Sequence, residues 1–278
     1  MGALFRTEMV KQWRRPRTWV TLSLTVAIPI IIAIALKANP PSTPEAGRGD
    51  FTFGALHTGL FLPVAALQFM SRFLLVIIIA LFAGDAVASE ASWGNLRAML
   101  TRPIGRGRLL LTKVESTALL ALIATALIGV TGLIAGVIAF GWHPLNISLG
   151  PVELRSLHES TGQILGNLAM ASGYVLWGIS GIAALAFMAS TMTDSPAAAV
   201  FAGFGLYIVS QILDNITALG SIRYGFPTHY LDAWTGLFTN PSAGPTGDML
   251  RGTLLQIPYV LIFGGIAWWY FRRKDILS

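Results

Sequence analysis

The sequence predicts an all-α, polytopic membrane protein of six transmembrane helices, and three observations carry that prediction. Long uncharged windows recur along the 278 residues, beginning with the 19 between Arg17 and Lys37. At 1.5 Å rise per residue, such a window makes a helix long enough to cross about 30 Å of hydrocarbon. Charged residues form 12% of the chain and hydrophobic ones 54%, where soluble domains carry roughly 25% charge. Lys and Arg gather on alternate connections, as in the cytoplasmic segments of membrane proteins.

Taken in order, the windows place spans near 18–37, 58–84, 114–140, 164–191, 196–216 and 253–271, so that residues 1–278 read as one transmembrane domain. The first window is longer than a signal-peptide core and follows 17 residues, which favours a retained anchor helix over a cleaved leader. Arg72 interrupts the second window, and the short stretch after it favours one long tilted helix that carries a charge. Pro29, Pro63 and Pro258 each delete a backbone donor and are expected to kink their helices. Gly132 and Gly136 have the spacing of a close helix–helix contact. Trp19, Trp142, Trp234, Trp268 and Trp269 fall near span ends, where interfacial anchors belong. The connection 38–57 reads as a turn-rich linker, 141–163 contains an amphipathic stretch around Leu154, Leu157 and Ile164, and 217–252 leaves a re-entrant pair open.

Six spans put both termini on one side. The N-terminal segment, the 85–113 loop and the tail hold thirteen Lys and Arg, against five on the opposite connections. That asymmetry places both termini in the cytoplasm of a multi-pass cell-membrane protein. Composition also excludes several classes. No dense basic tract interleaved with aromatics points to nucleic acid. The absence of Cys removes disulfides, thiolate metal sites and thiol catalysis. His57, His143, His158 and His229 are scattered without ligand spacing, so no metal site is expected, and no catalytic residue set converges within a span.

The loop after the second span carries the densest pattern. Read as a helix near 86–101, it brings Trp93, Leu96 and Leu100 to one apolar face and Glu90 beside Arg97 on a polar strip. Pro103 ends it, Gly105 turns the chain, and Thr112 to Glu115 has capping-box spacing ahead of the third span. Such a helix either rests on lipid or docks a soluble partner.

At these residues the chain resembles the permease subunits of ABC-type-2 exporters. The shared pattern falls on Asp85, Glu90, Gly94, Leu96, Arg97, Leu100, Thr101, Pro103 and Arg106, with Lys113 following. Glu8, Lys11, Trp13, Arg14 and Arg15 resemble that family's amphipathic helix leading into the membrane. The turn at 193–197 and the basic tail from Phe271 to Leu277 agree with it. The resemblance implies an ATP-driven exporter in which this permease meets a second one, identical or homologous, above two copies of a soluble ABC ATPase. The chain itself needs no cofactor on that reading; ATP and Mg belong to the ATPase, since no Gly-x-x-x-x-Gly-Lys-Ser/Thr loop occurs here. An ion-coupled secondary transporter and a non-transporting scaffold are the alternatives.

Arg72 is the costliest residue to bury. Three roles are open to it: snorkelling near an interface, pairing with a carboxylate such as Asp214 or a helix carbonyl, or serving the substrate path. Gln68, Gln211 and Asp214 are the other candidates for that path, which would favour an anionic or amphiphilic cargo.

Overall fold

The computed structural model describes residues 2–40, 51–94, 105–143, 145–147, 157–239 and 244–273. Six of its helical segments are long and apolar enough to cross a membrane, so the protein is an all-α polytopic membrane protein. A short helix, α1 (Gly2–Trp13), precedes the first span, α2 (Pro16–Ala38). Extended backbone at Arg15 separates them, and Pro16 starts α2 where a missing N–H costs nothing. Both α2 and the last span, α11 (Gly247–Arg273), continue through their prolines, Pro29 and Pro258.

The second span differs from the single tilted helix that the sequence suggests. Three short elements, α3 (Phe51–His57), a 3-10 turn (Gly59–Phe61) and α4 (Leu62–Ser71), precede the segment long enough to cross, α5 (Leu74–Ser92). Pro63 therefore sits in the first turn of α4, where it starts the helix instead of kinking it. The chain breaks at Phe73 (φ −153°, ψ −65°). A break in a membrane helix frees backbone groups that lipid cannot satisfy. Here the Tyr207 hydroxyl donates to the Arg72 carbonyl, and the Phe73 amide and carbonyl stay bonded to Met70 and Ile77.

The third span, α6 (Arg106–Phe140), has 35 residues, or about 52 Å of helix, and so overreaches the hydrocarbon. It starts just after Gly105, so Thr112 lies inside it, bonded to the Arg108 carbonyl, and caps nothing. A two-stranded antiparallel ribbon, β1 (Leu145–Ile147) with β2 (Leu157–Glu159), follows in register Leu145 to Glu159. Leu157 is thus in a strand, whereas Ile164 is buried in the next helix; Leu154 lies outside the described residues. The fourth span combines α7 (Thr161–Gly178) and α8 (Ser180–Met192), and hydrogen bonds from Ile179 to Val175 and Ala183 to Ile179 carry the ladder across their joint. The capping box of Ser160 and Gln163 starts α7. The fifth span is α9 (Pro196–Asp214). Between it and α11, the described residues form 3-10 turns at Thr217–Gly225 and Ala233–Thr235 and a four-residue helix, α10 (Gly236–Thr239).

The helices pack in two groups joined by α5. One contains α2, α4 and α6; the other contains α5, α8, α9 and α11. The central helix is α5, with 78% of its apolar window buried against 17% for α11. Ser190 of α8 accepts from both the Val87 and Ala88 amides at 2.9 Å, which pins α5 to α8. Gly84 lets α5 approach α9, since a Cβ there would stand 2.7 Å from the Val200 nitrogen. At the far end Phe51, Phe61, Trp234 and Phe238 form an aromatic cluster that folds the outer turns onto α3. Ile34, Ile138, Phe201 and Leu261 face outward as a lipid-facing surface should.

Gly132 and Gly136 of α6 receive the 59–63 turn: a Cβ on Gly132 would lie 2.7 Å from Pro63 Cα, and one on Gly136 would collide with the Gly59 carbonyl. Replacing Gly136 by Ala is expected to destabilise the protein by about 1–3 kcal/mol through overpacking. Gly129→Ala, where nothing lies within 4 Å, serves as the control and should melt at or above the wild-type temperature in detergent.

Candidate functional site

Two polar centres lie on opposite ends of the bundle. The first is at the end that holds α1, the start of α6 and the end of α11, where Arg106 donates to the Arg272 carbonyl at 2.9 Å. It is built from Glu8 and Lys11 of α1, Arg15 before α2, Arg17 in it, Asp85, Ser89 and Glu90 of α5, and Lys113 of α6. The Lys113 ammonium is wholly buried. It donates to the Ala86 carbonyl at 2.8 Å and to Glu8 Oε1 at 3.2 Å. Glu90 Oε2 stands 2.8 Å away, off the line of a hydrogen bond, so that contact is an ion pair only. Lys11 bridges the same two carboxylates, at 3.5 Å from Glu8 and 3.3 Å from Glu90.

A second arm centres on Asp85. Arg15 donates to Asp85 Oδ2 at 2.7 Å and to the Ser89 hydroxyl at 3.2 Å, and Arg17 pairs with the same carboxylate. Asp85 and Ser89 are one helical turn apart, so one face of α5 meets both arginines. Together the arms leave Glu8, Asp85 and Glu90 buried yet paired with cations. Burial alone would raise the Glu8 pKa, but the charges of Lys113 and Lys11, with a hydrogen bond from Lys113, outweigh it and hold the carboxyl below its ordinary value.

This centre alters the expectation of a separate helix near 86–101. Residues 86–92 are the end of α5, and Glu90 pairs with Lys113 and Lys11 of neighbouring helices. Trp93 ends the helix with 79% of its surface exposed, and Gly94 turns the chain at φ +69°. Leu96, Arg97, Leu100, Thr101 and Pro103 lie outside the described residues. Arg106 is the first residue of α6. In the N-terminal segment Glu8, Lys11 and Arg15 enter the cluster and Arg14 is exposed. Trp13 packs on Trp19 at 5.3 Å and accepts its indole N–H on the backbone carbonyl. Arg17 and Ser89 went unnoticed as site residues; the i, i+4 placement of Ser89 after Asp85 was the available signal.

The second centre is a cavity of about 1060 Å³ at the other end. Its height follows from helix geometry. Gly84 touches Val200, and Arg72 and Asp214 lie about 18 and 21 Å further along at 1.5 Å per residue. Both therefore sit at one level, at the far ends of α5 and α9. Arg72 donates to Asp232 at 3.2 Å and pairs with it at 3.1 Å, so its partner is Asp232 and not Asp214. Asp214 instead contacts His229, which packs against the rings of Tyr224 and Tyr230 at 4.9 and 4.6 Å. Gln211 lines the same cavity, and Arg251 pairs with Asp248 on its rim at 3.2 Å. Gln68 lies buried on α4 and is not part of the lining. Asp232, His229 and Arg223 were missed, because in sequence they belong to an outer connection.

The chain matches, over residues 50–277, the family described as "Protein of unknown function (DUF2705)", and it belongs to that family. It is similar to a Pseudomonas aeruginosa protein named "Probable ABC transporter permease protein NosY", 30% identical over 158 residues, which are 56% of this chain and 51% of that protein. A Stutzerimonas stutzeri protein of the same name is 33% identical over 157 residues, 53% of each chain. A Bacillus subtilis protein, "Uncharacterized protein YhcI", is 26% identical over 203 residues, 71% of this chain and 63% of that one. The chain thus spans about half the length of the two relatives named as permeases.

Lys113→Met should be strongly destabilising, by about 3–5 kcal/mol, because it leaves two buried carboxylates short of a cation. Thermal melting in detergent measures this, and adding Glu90→Gln should restore part of the loss. The depressed Glu8 pKa adds a pH dependence. Its contribution is complete above the unfolded value of 4.5 and vanishes as pH falls through the lower folded value. The acid limb of the melting profile should therefore be flatter in Glu8→Gln than in wild type.

Proposed function

We propose that this chain is a transmembrane permease subunit of the ABC-type-2 class, an exporter driven by ATP hydrolysis on a separate soluble subunit. The observation that carries the reading is the buried ion cluster. It locks α1 and the beginning of α2 to the end of α5 and the beginning of α6, the two helices from which the 95–104 loop emerges. A force applied to that loop would enter two spans through a junction that cannot yield locally without exposing buried charge. The relatives named as probable ABC transporter permeases support the same reading. So does the charge distribution: Arg6, Lys11, Arg14, Arg15, Arg17, Arg106, Arg108, Arg272 and Arg273 belong to the cluster's end, as a cytoplasmic face in a cell membrane requires.

In this scheme two ATPase copies bind beneath a pair of permeases, identical or homologous, and hold ATP and Mg. Trp93, Leu96 and Leu100 form the docking surface, with Arg97 beside them. Glu90 and Asp85 anchor that surface from inside the bundle. The cargo leaves by way of the cavity lined by Arg72, Gln211 and Asp214. A second reading, ion-coupled transport, draws on the Asp214–His229 contact in that cavity, and it predicts transport that survives an inactive ATPase.

Affinity purification of the tagged chain from native membranes should bring down a stoichiometric ABC ATPase whose hydrolysis depends on the permease. Leu96→Asp should lower both the recovery of that ATPase and its stimulation by about tenfold, the size of effect expected for a charge in an apolar contact. Normal recovery and export with Leu96→Asp would reject the docking assignment. Export that persists with a hydrolysis-dead ATPase would favour ion coupling.

A further inference from the structure

The pairing of charges around the outer cavity is incomplete. Arg72 is engaged by Asp232, Arg251 by Asp248, and Asp214 is in contact with His229. Arg223 also lines the cavity, and among the described residues no carboxylate lies within ion-pair distance of it. Its guanidinium has only the Tyr224 ring, 5.5 Å away. Its Nε is buried without a hydrogen-bond partner, and so is Oδ1 of Asp232. Both atoms are closed off from the cavity, so what the wall presents of Arg223 is the outer N–H groups of its guanidinium, which no acceptor meets among the described residues. A cation that lines a cavity without a counter-charge is open to an oxyanion from outside the chain.

The location narrows what that molecule is. The Arg72 and Asp214 level lies about 20 Å from the ion cluster along the helices, where the apolar span of α9 ends at Asp214, so a ligand can reach the cavity from the boundary of lipid and water. Ile212, Ile216 and Ile222, next to lining residues in sequence, are exposed apolar side chains that offer a tail a surface. A volume of about 1060 Å³ accommodates a headgroup with room for water.

We propose that this cavity binds the headgroup of an anionic amphiphile, with its phosphate or carboxylate on Arg223 and a hydroxyl or ammonium of the same headgroup donating to Asp232. A guanidinium suits such an oxyanion because two of its N–H groups meet two oxygens in one plane. Phosphatidylcholine fits poorly, since its headgroup carries a quaternary ammonium with no N–H and has no hydroxyl. The permease reading gains a cargo class from this site, but binding itself requires no ATPase, so the two stand or fall separately.

The test uses the full chain in detergent, exposed to equimolar phosphatidylglycerol and phosphatidylcholine and read by native mass spectrometry. Wild type should retain phosphatidylglycerol with a preference of about tenfold or more, the size expected of one charge-assisted hydrogen bond. Arg223→Gln should cut the amount of phosphatidylglycerol retained about tenfold, and Arg223→Lys should keep part of it. Arg251→Gln, whose cation is already paired, should change it little. Ile222→Ser should weaken retention of the lipid, since it removes apolar surface and no charge. No preference in wild type, or undiminished retention in Arg223→Gln, overturns the proposal. A second arm adds soluble glycerol phosphate in excess: failure to displace the lipid supports an amphiphile site. Displacement at concentrations comparable to the lipid would show a site for the free anion and overturn the amphiphile assignment. Loss of lipid preference with intact ATPase stimulation would separate this site from the permease function.

Discussion

A lysine with no exposed surface, shared between two carboxylates from different helices, is the constraint on which the rest of the architecture depends. An ionised ammonium in a membrane protein is tolerated only when its partners are fixed in place. Fixing Glu8 fixes α1, whose Met9 and Trp13 are only partly buried against the core. Fixing Glu90 fixes the end of α5, and the Ala86 carbonyl sets the height of α6 against it. Asp85 extends the same logic to Arg15 and Arg17, and thereby to the start of α2. Four helices are thus brought into register at one end by charge, whereas apolar packing alone would leave them free to slide. Lipid is as apolar as leucine, so polar contacts carry orientation information that hydrophobic burial in a bilayer does not.

The opposite end uses a different device. The helix breaks at Arg72–Phe73 between α4 and α5, where Tyr207 donates to the Arg72 carbonyl and Asp232 pairs with the Arg72 side chain. The outer turns then fold over the gap, held by Gln256, which donates to the Pro227 carbonyl and accepts from the Gly181 amide. A broken helix, a polar side chain at its end and irregular backbone over it enclose the polar cavity, and lining such a cavity is what keeps non-helical backbone stable beside lipid.

Hydropathy in the sequence revealed six spans, because that signal reports which solvent a segment meets. It did not reveal the start of α6 at Arg106, ahead of the predicted 114, because charged residues there interrupt the apolar pattern, nor how the spans group. The break after Arg72 was illegible for a clear reason: its partners are Tyr207 and Asp232, 135 and 160 residues away, and no local pattern announces a distant hydroxyl. Asp85, Glu90 and Lys113 stood out as charges flanking apolar windows, yet their pairing did not, since Glu90 faces α1 and α6 and not its own strip. Glu8, Lys11 and Arg15 were marked only as an amphipathic approach to the membrane. Arg223, His229 and Asp232 looked like loop residues because sequence gives no depth coordinate, and short 3-10 turns that fold back into the bundle leave no periodic trace.

The two centres are joined by a single element. The far end of α5 begins beside the cavity and its near end closes the ion cluster, and between them the helix is buried and continuous. An α-helix of this length is stiff, so a displacement at Glu90 arrives at Leu74 nearly undiminished. The break at Phe73 is where that rigid body ends. On the proposed reading, motion imposed at the 95–104 loop therefore changes the distance between α5 and the outer turns, which are tied to α8 and α11 by Gln256 and to α9 by Ser210 and Thr228 at 2.5 Å. Ser190 and Gly84 prevent α5 from moving alone. On that reading, the motion this packing allows is a pivot of α5, α8 and α9 about the ion cluster, which holds α5 to α2 and α6 at one end, and the Arg72–Asp232 pair spans the seam between that block and α4 at the other.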